Sequence, residues 1–149
     1  MVNVEIRSHT SLHVIKGAIQ KVLGAKWTTG VWVNGSHGRI SVEFDRKPTQ
    51  SEVDLIEQYT NDKIREDVPI EVFHIHRRTA EERWGDIIYD KFPLPESITE
   101  LSICVIDGWN VNACNKVHTS STGEIGSFRI AKTRFRARKR LLEISFDLE

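Results

Sequence analysis

Two histidines, His9 and His13, stand four residues apart, and about a hundred residues later Cys114 and His118 repeat the same offset. On a helix, side chains four apart leave the same face with Cβ atoms about 5–6 Å apart, a gap that one metal ion can bridge. Three imidazoles and one thiolate suit tetrahedral Zn²⁺, with Zn–N of about 2.0–2.1 Å and Zn–S of about 2.3 Å, better than they suit Ca²⁺ or Mg²⁺, which prefer oxygen. Each pair alone is ordinary. Two helical histidines can form a polar face, and a lone cysteine can be a small buried hydrophobe. Matched in spacing, the pairs predict one metal site at His9, His13, Cys114 and His118, with Zn²⁺ as the ion.

Other candidates carry less. His74 and His76 lie two apart, share one face of a strand and form the rival metal pair, but no thiol or carboxylate cluster accompanies them. They read as solvated strand residues, His37 as an idle loop residue and Cys104, inside an apolar strand, as core. An acylating nucleophile, Cys or Ser with His and Asp, stays open, although the Gly-x-Ser-x-Gly elbow of serine hydrolases is missing. So is the His-Glu-x-x-His protease signature, because Thr10 and Ser11 follow His9. A basic run, from Arg129 through Lys132, Arg134, Arg136, Arg138, Lys139 and Arg140, has no acidic residue between Ser127 and Leu142. On a strand, Lys132, Arg134, Arg136 and Arg138 would project from one face and Phe135 from the other. Such a row fits a phosphate backbone, or else a sheet edge protected by charge against aggregation.

These residues need elements to place them. Residues 2–7 alternate apolar and polar and predict a short strand. Ser8 would then cap a helix over 9–23 that stops at Gly24, with Leu12, Ile15, Ile19 and Leu23 as its core stripe. Residues 27–34 and 39–44 are rich in β-branched and aromatic side chains and read as a hairpin around Gly35-Ser36-His37-Gly38. Thr49 and Glu52 have capping-box spacing for a helix to about residue 66. Thr79 and Glu82 repeat that spacing for a short helix ending at Gly85. Residues 70–77 and 101–106 read as strands, and 127–136 with 141–148 as a closing hairpin. The pattern predicts an α+β fold, a single domain over 1–149 with helices packed on a mostly antiparallel sheet.

At 149 residues, 39% hydrophobic and 28% charged, the chain has the size and composition of one globular domain rather than a disordered or repetitive one. Its 21 basic and 21 acidic side chains cancel, so any polyanion site must be local. No apolar run reaches the roughly 18 residues of a membrane span, and the amino end lacks a signal-peptide stretch. Two cysteines are too few for a disulfide framework. The cytoplasm, without membrane or disulfide-linked partner, is the expected setting.

The segments His9-Thr10-Ser11-Leu12-His13-Val14-Ile15-Lys16-Gly17-Ala18 and Asn110-Val111-Asn112-Ala113-Cys114-Asn115-Lys116-Val117-His118-Thr119 resemble the freestanding alanyl-tRNA editing proteins, the AlaX group. These in turn are similar to the editing domain of alanyl-tRNA synthetase. The resemblance spans nearly the whole chain, including Asp45-Arg46-Lys47-Pro48, Asp90-Lys91-Phe92-Pro93 and Thr122-Gly123-Glu124-Ile125-Gly126. Because the chain begins just ahead of His9, it resembles the short form of the group, which lacks an extra amino-terminal barrel. Asn115-Lys116-Val117 stands where the synthetase usually has Gly-Gly-Thr.

The resemblance implies a zinc-dependent hydrolase that removes serine or glycine wrongly esterified to the tRNA for alanine. Its zinc positions would be His9, His13, Cys114 and His118. Thr28 matches a pocket threonine that contacts the amino-acid part of the substrate. Zinc chemistry at such a site would lower the pKa of a bound water toward ~7 or polarise the ester carbonyl. The alternative function is a non-catalytic RNA-binding module with a structural zinc, in which the basic strand carries the activity.

Overall fold

The computed structural model describes residues 2–149. Three helices, α1 (Val4–Leu23), α2 (Gln50–Glu66) and α3 (Arg77–Trp84), combine with seven strands. The strands are β1 (Thr28–Asn34), β2 (His37–Glu43), β3 (Glu71–His76), β4 (Glu100–Ile106), β5 (Asn110–Ala113), β6 (Phe128–Arg136) and β7 (Leu141–Leu148). They form two antiparallel sheets, of order β1-β2-β7-β6 and β3-β4-β5. The α+β class expected from the sequence is the class observed. No helix among the described residues is long and apolar enough to cross a membrane.

The larger core lies between the four-stranded sheet and helices α1 and α2. Strand β7 alternates strictly, turning Leu142, Ile144, Phe146 and Leu148 inward. They meet Ile15 and Ile19 of α1 and Ile56 of α2 in one cluster. A second cluster, with Leu101, Ile103, Ala80, Ile88 and Tyr89, joins the three-stranded sheet to α3 and the 3₁₀ turn at Gly85–Ile88. Helix α1 sits where these two halves meet, and everything from Thr10 to Ile19 on it is buried.

Several expectations need correction. Residues 2–7 are not a strand. Asn3 accepts a hydrogen bond from the Glu5 N–H at 2.7 Å and caps α1, so a local cap outweighs an alternation only six residues long. Ser8, the expected cap, is buried inside the helix and donates to the Gly35 carbonyl at 2.7 Å. Helix α3 starts at Arg77 because the His76 imidazole caps it through the Arg78 N–H, two residues before the Thr79 box could act. Strand β5 was not foreseen. Its inward residues are Asn110 and Asn112, which bury amides where a strand pattern calls for hydrophobes. Arg138 lies in the tight turn between β6 and β7 and not on the strand with Lys132, Arg134 and Arg136, because β6 ends at Arg136.

The β4–β5 connection presses onto α1. Trp109 donates its indole N–H to the Val14 carbonyl at 2.9 Å, directly over Gly17. A Cβ built on Gly17 would lie 2.5 Å from the Trp109 Nε1 and 2.9 Å from its carbonyl oxygen. Gly17→Ala is therefore expected to destabilise the fold by about 1–3 kcal/mol through overpacking, against a helix-propensity gain of at most ~1 kcal/mol. Chemical denaturation checks this, and a variant with an unchanged midpoint would contradict the close approach.

Candidate metal centre

His9 and His13 leave one face of α1, one turn apart. Strand β5 delivers the other two donors: the Cys114 N–H extends the ladder by donating to the Ser102 carbonyl at 2.8 Å, and the chain then turns through Lys116 toward His118. A backbone N–H of this loop ties it to the helix. The buried Thr119 N–H donates to Thr10 Oγ1 at 3.0 Å, while Thr10 donates to the Ile6 carbonyl at 2.7 Å. Thr119 closes its own end through a 2.7 Å bond to the Ser121 carbonyl.

The four donor atoms converge. His9 Nε2 lies 3.2 Å from Cys114 Sγ, and His13 Nε2 lies 3.0 Å from His118 Nε2. All four donors fall within 4.8 Å of one another. Donors around a tetrahedral zinc would be separated by about 3.3–3.6 Å, so the observed spacing brackets what one ion needs. His9, His13, Cys114 and His118 could thus hold a metal ion together.

Burial prepares the donors. It lowers the pKa of His9, assisted by the Lys116 charge, and brings that of His118 to about 4, assisted by His9. His13, inside the core, is held well below the usual imidazole range by burial first, then by His118, His9 and Lys16. All three rings are neutral at pH 7, with lone pairs available. Burial pushes the Cys114 thiol up, and binding of a cation there would release its proton. His118 Nδ1 is buried with no hydrogen-bond partner among the described residues. A cluster of neutral nitrogen donors facing a thiol could hold a cation.

Beside the cluster is a cavity of about 50 Å³, walled by His9, His13, Lys16, Thr28, Asp90 and Asn112 among others. Thr28 is 2% exposed, and its Oγ1 has no hydrogen-bond partner among the described residues. Its carbonyl accepts from the Lys91 N–H at 2.9 Å, which sets Asp90 alongside. Lys16 is buried and donates to Asp90 Oδ1 at 2.9 Å. The sequence held a signal for Lys16, three residues past His13 and so on the same helix face. Asp90, in an irregular segment, gave none beyond its place in the resemblance.

The remaining candidates lie elsewhere. His74 faces Ser102 at 3.1 Å, His76 is spent on capping α3, and His37 pairs with Asp147. Cys104 is core in β4, its thiol pushed up to about 12 by burial, and both cysteines are free. Lys132 and Arg134 are exposed on edge strand β6, whereas Arg136 bonds Glu143 at 3.1 Å.

Fold and site define a class, an α+β domain whose three histidines and one cysteine form a site able to hold a metal. No protein-family model matches the chain. The chain is nevertheless a homologue of a segment of alanine–tRNA ligase. It is 35% identical over 125 residues to that of Methanopyrus kandleri, covering 83% of this chain and 13% of the ligase. Against the ligase of Ignicoccus hospitalis it is 36% identical over 131 residues, covering 87% of this chain and 14% of the ligase. Against that of Saccharolobus islandicus it is 35% identical over 126 residues, covering 84% and 14%. The chain therefore spans about one-seventh of the length of these curated relatives. The relationship to alanyl-tRNA synthetase expected from the two donor segments is borne out, and it fits a domain like the synthetase's editing domain.

Thr10 makes no contact through the expected ligand atoms, yet it fixes the loop that carries two of them. Thr10→Val keeps the shape and leaves the buried Thr119 N–H unpaired. It is expected to weaken metal binding about 10- to 100-fold, as loss of a supporting hydrogen bond does at other metal sites. Competition against a chromophoric chelator measures this; an unchanged affinity would show that the loop is fixed by other means.

Proposed function

We propose that this chain is a zinc-dependent trans-editing hydrolase, an aminoacyl-tRNA deacylase that cleaves the ester joining serine or glycine to the tRNA for alanine in the cytoplasm. The observation that carries the reading is the small cavity that shares His9 and His13 with the donor cluster and buries the unpaired Thr28 hydroxyl. The relatives are alanine–tRNA ligases, which supplies the tRNA. Zinc held by His9, His13, Cys114 and His118 would supply Lewis acidity toward the ester carbonyl, which with four protein donors requires one of them to yield or the shell to expand.

The protein's residues then do the selecting. A cavity of about 50 Å³ admits side chains the size of hydrogen, methyl or hydroxymethyl. Within that set, Thr28 Oγ1 bonds the serine hydroxyl, whereas alanine leaves it buried and unpaired. A site built on such a bond discriminates by up to roughly 10⁴-fold. The Asp90 carboxylate, oriented by Lys16, is the acid on the cavity wall and suits the α-ammonium group of the aminoacyl ester. Lys132, Arg134 and Arg138, exposed along and beyond the edge strand, are the proposed phosphate contacts, with Arg136 the weakest of the row because Glu143 already engages it.

Purified protein incubated with seryl-, glycyl- and alanyl-charged tRNA for alanine is expected to release serine and spare alanine, the glycyl ester showing whether anything but a substrate hydroxyl can satisfy Thr28, and a chelator should abolish cleavage with the fold kept. Unfolding on chelation with no cleavage beforehand would instead establish the non-catalytic RNA-binding module with a structural zinc. Thr28→Val should lower the preference for seryl over alanyl esters about tenfold or more while leaving the unliganded fold as stable or more so, because it removes a buried hydroxyl that has no partner. An unchanged preference would remove Thr28 from the selective role.

A further inference from the structure

Helices α1 and α2 cover one face of the four-stranded sheet, the face that carries Ile40, Ile144 and Phe146. On the other face Trp32, Arg39 and Lys132 are exposed and Ser41, Glu143 and Ser145 half-buried, so that face is open to water. The strand register fixes what shares it. Trp32 on β1 pairs with Arg39 on β2, Arg39 with Ser145 on β7, and Ser145 with Lys132 on β6. This row crosses all four strands, about 14 Å at about 4.8 Å per strand. In the next row Ser41 and Glu143 lead to Arg134. Trp32 is 47% exposed, and the guanidinium carbon of Arg39 lies 5.6 Å from its indole centroid.

The carboxylates of this face are already engaged, Asp147 by Arg129 at 3.2 Å, Glu143 by Arg136 at 3.1 Å and Glu43 by Lys91. Arg39, Lys132 and Arg134 form no ion pair among the described residues, although Arg134 stands opposite Glu143 in the ladder. Cations that only keep an edge strand from pairing would account for Lys132 and Arg134. They would not account for Arg39, which is on the interior strand β2, or for an indole left in water at the opposite edge. Unpaired cations in line with an exposed aromatic ring suit a single-stranded nucleic acid, whose phosphates meet the cations and whose unstacked bases offer a π-face to the indole. A duplex offers the phosphates but keeps its base faces stacked.

We propose that the solvent face of the four-stranded sheet binds single-stranded RNA, one base stacking on Trp32 and the backbone passing over Arg39, Lys132 and Arg134. The small cavity takes walls from Val31 and Ile40, which point to the other side of the same sheet, so this face is a second RNA contact separate from the metal centre. That the RNA is a tRNA rests on the deacylase reading; the face itself does not.

The test titrates the full chain into a short, unstructured, 5′-labelled RNA, as a single strand and annealed to its complement, by anisotropy over a series of salt concentrations. Wild type is expected to bind the single strand about tenfold more tightly than the duplex, Trp32→Ala to bind the single strand about tenfold more weakly than wild type, and Trp32→Phe to recover most of that loss. Arg39→Gln, Lys132→Gln and Arg134→Gln combined should flatten the slope of log affinity against log salt by about 2, from three phosphate contacts at about 0.7 each. No binding by wild type, a preference for the duplex, wild-type affinity in Trp32→Ala or an unchanged slope in the triple variant would each overturn the proposal. Seryl-ester cleavage is measured on the same preparations. Cleavage without this single-strand binding removes the second contact and leaves the hydrolase; Trp32-dependent binding without cleavage removes the hydrolase and leaves the RNA face.

Discussion

The bond from the Thr119 N–H to Thr10 Oγ1 fastens the loop with Cys114 and His118 to the helix that carries His9 and His13. Two chain segments about a hundred residues apart must meet to within one metal's bonding distance, and this contact lies between them. A second contact supports it a turn or two further along α1, where Trp109 sits on Gly17 and bonds the Val14 carbonyl. The three-stranded sheet thereby reaches the helix that also packs on the four-stranded one. The price is a helix whose middle is buried on every side, with Ser8, Thr10 and Ser11 forced to bond backbone carbonyls because no water reaches them.

The same burial makes the cluster chemically ready. Imidazoles in the interior stay neutral, and neutral imidazole is the form that binds a metal. His9 also opposes protonation of His13 and His118, and His118 that of His13. Around this apolar-walled cluster stand a few polar groups with definite partners or definite lack of one. Lys16 and Asp90 satisfy each other, whereas Thr28 Oγ1 is left open beside the cavity. A buried hydroxyl without a partner costs about 1–3 kcal/mol, which is tolerated where a ligand supplies the missing bond.

Much of this was legible before any coordinates. The helical stripe of α1, the αL glycine at Gly24, the Thr49–Glu52 capping box and the closing hairpin of β6 and β7 are local signals, and each appears in the structure as read. The two donor pairs were legible for the same reason, since a four-residue offset is a local property. The errors have two causes. Asn3 and His76 cap helices through N–H groups two residues on, ahead of the Ser8 cap and the Thr79–Glu82 box that the sequence also offers, whereas β5 turns asparagines inward because Asn112 bonds the Ile88 carbonyl. The first are local competitions between neighbouring caps; the second is settled by a tertiary partner that a short window of sequence does not contain. Asp90 joins the cavity for that kind of reason, through the Lys91 bond to Thr28.

The central claim is that one ion is held by two pairs of side chains from distant stretches of chain. X-ray absorption at the zinc edge on the purified protein tests it most directly. The account predicts one zinc per chain, with a first shell of three nitrogens at about 2.0–2.1 Å and one sulfur at about 2.3 Å, the sulfur disappearing in Cys114→Ser. A protein that binds no metal, or a shell without sulfur in the wild type, would contradict it.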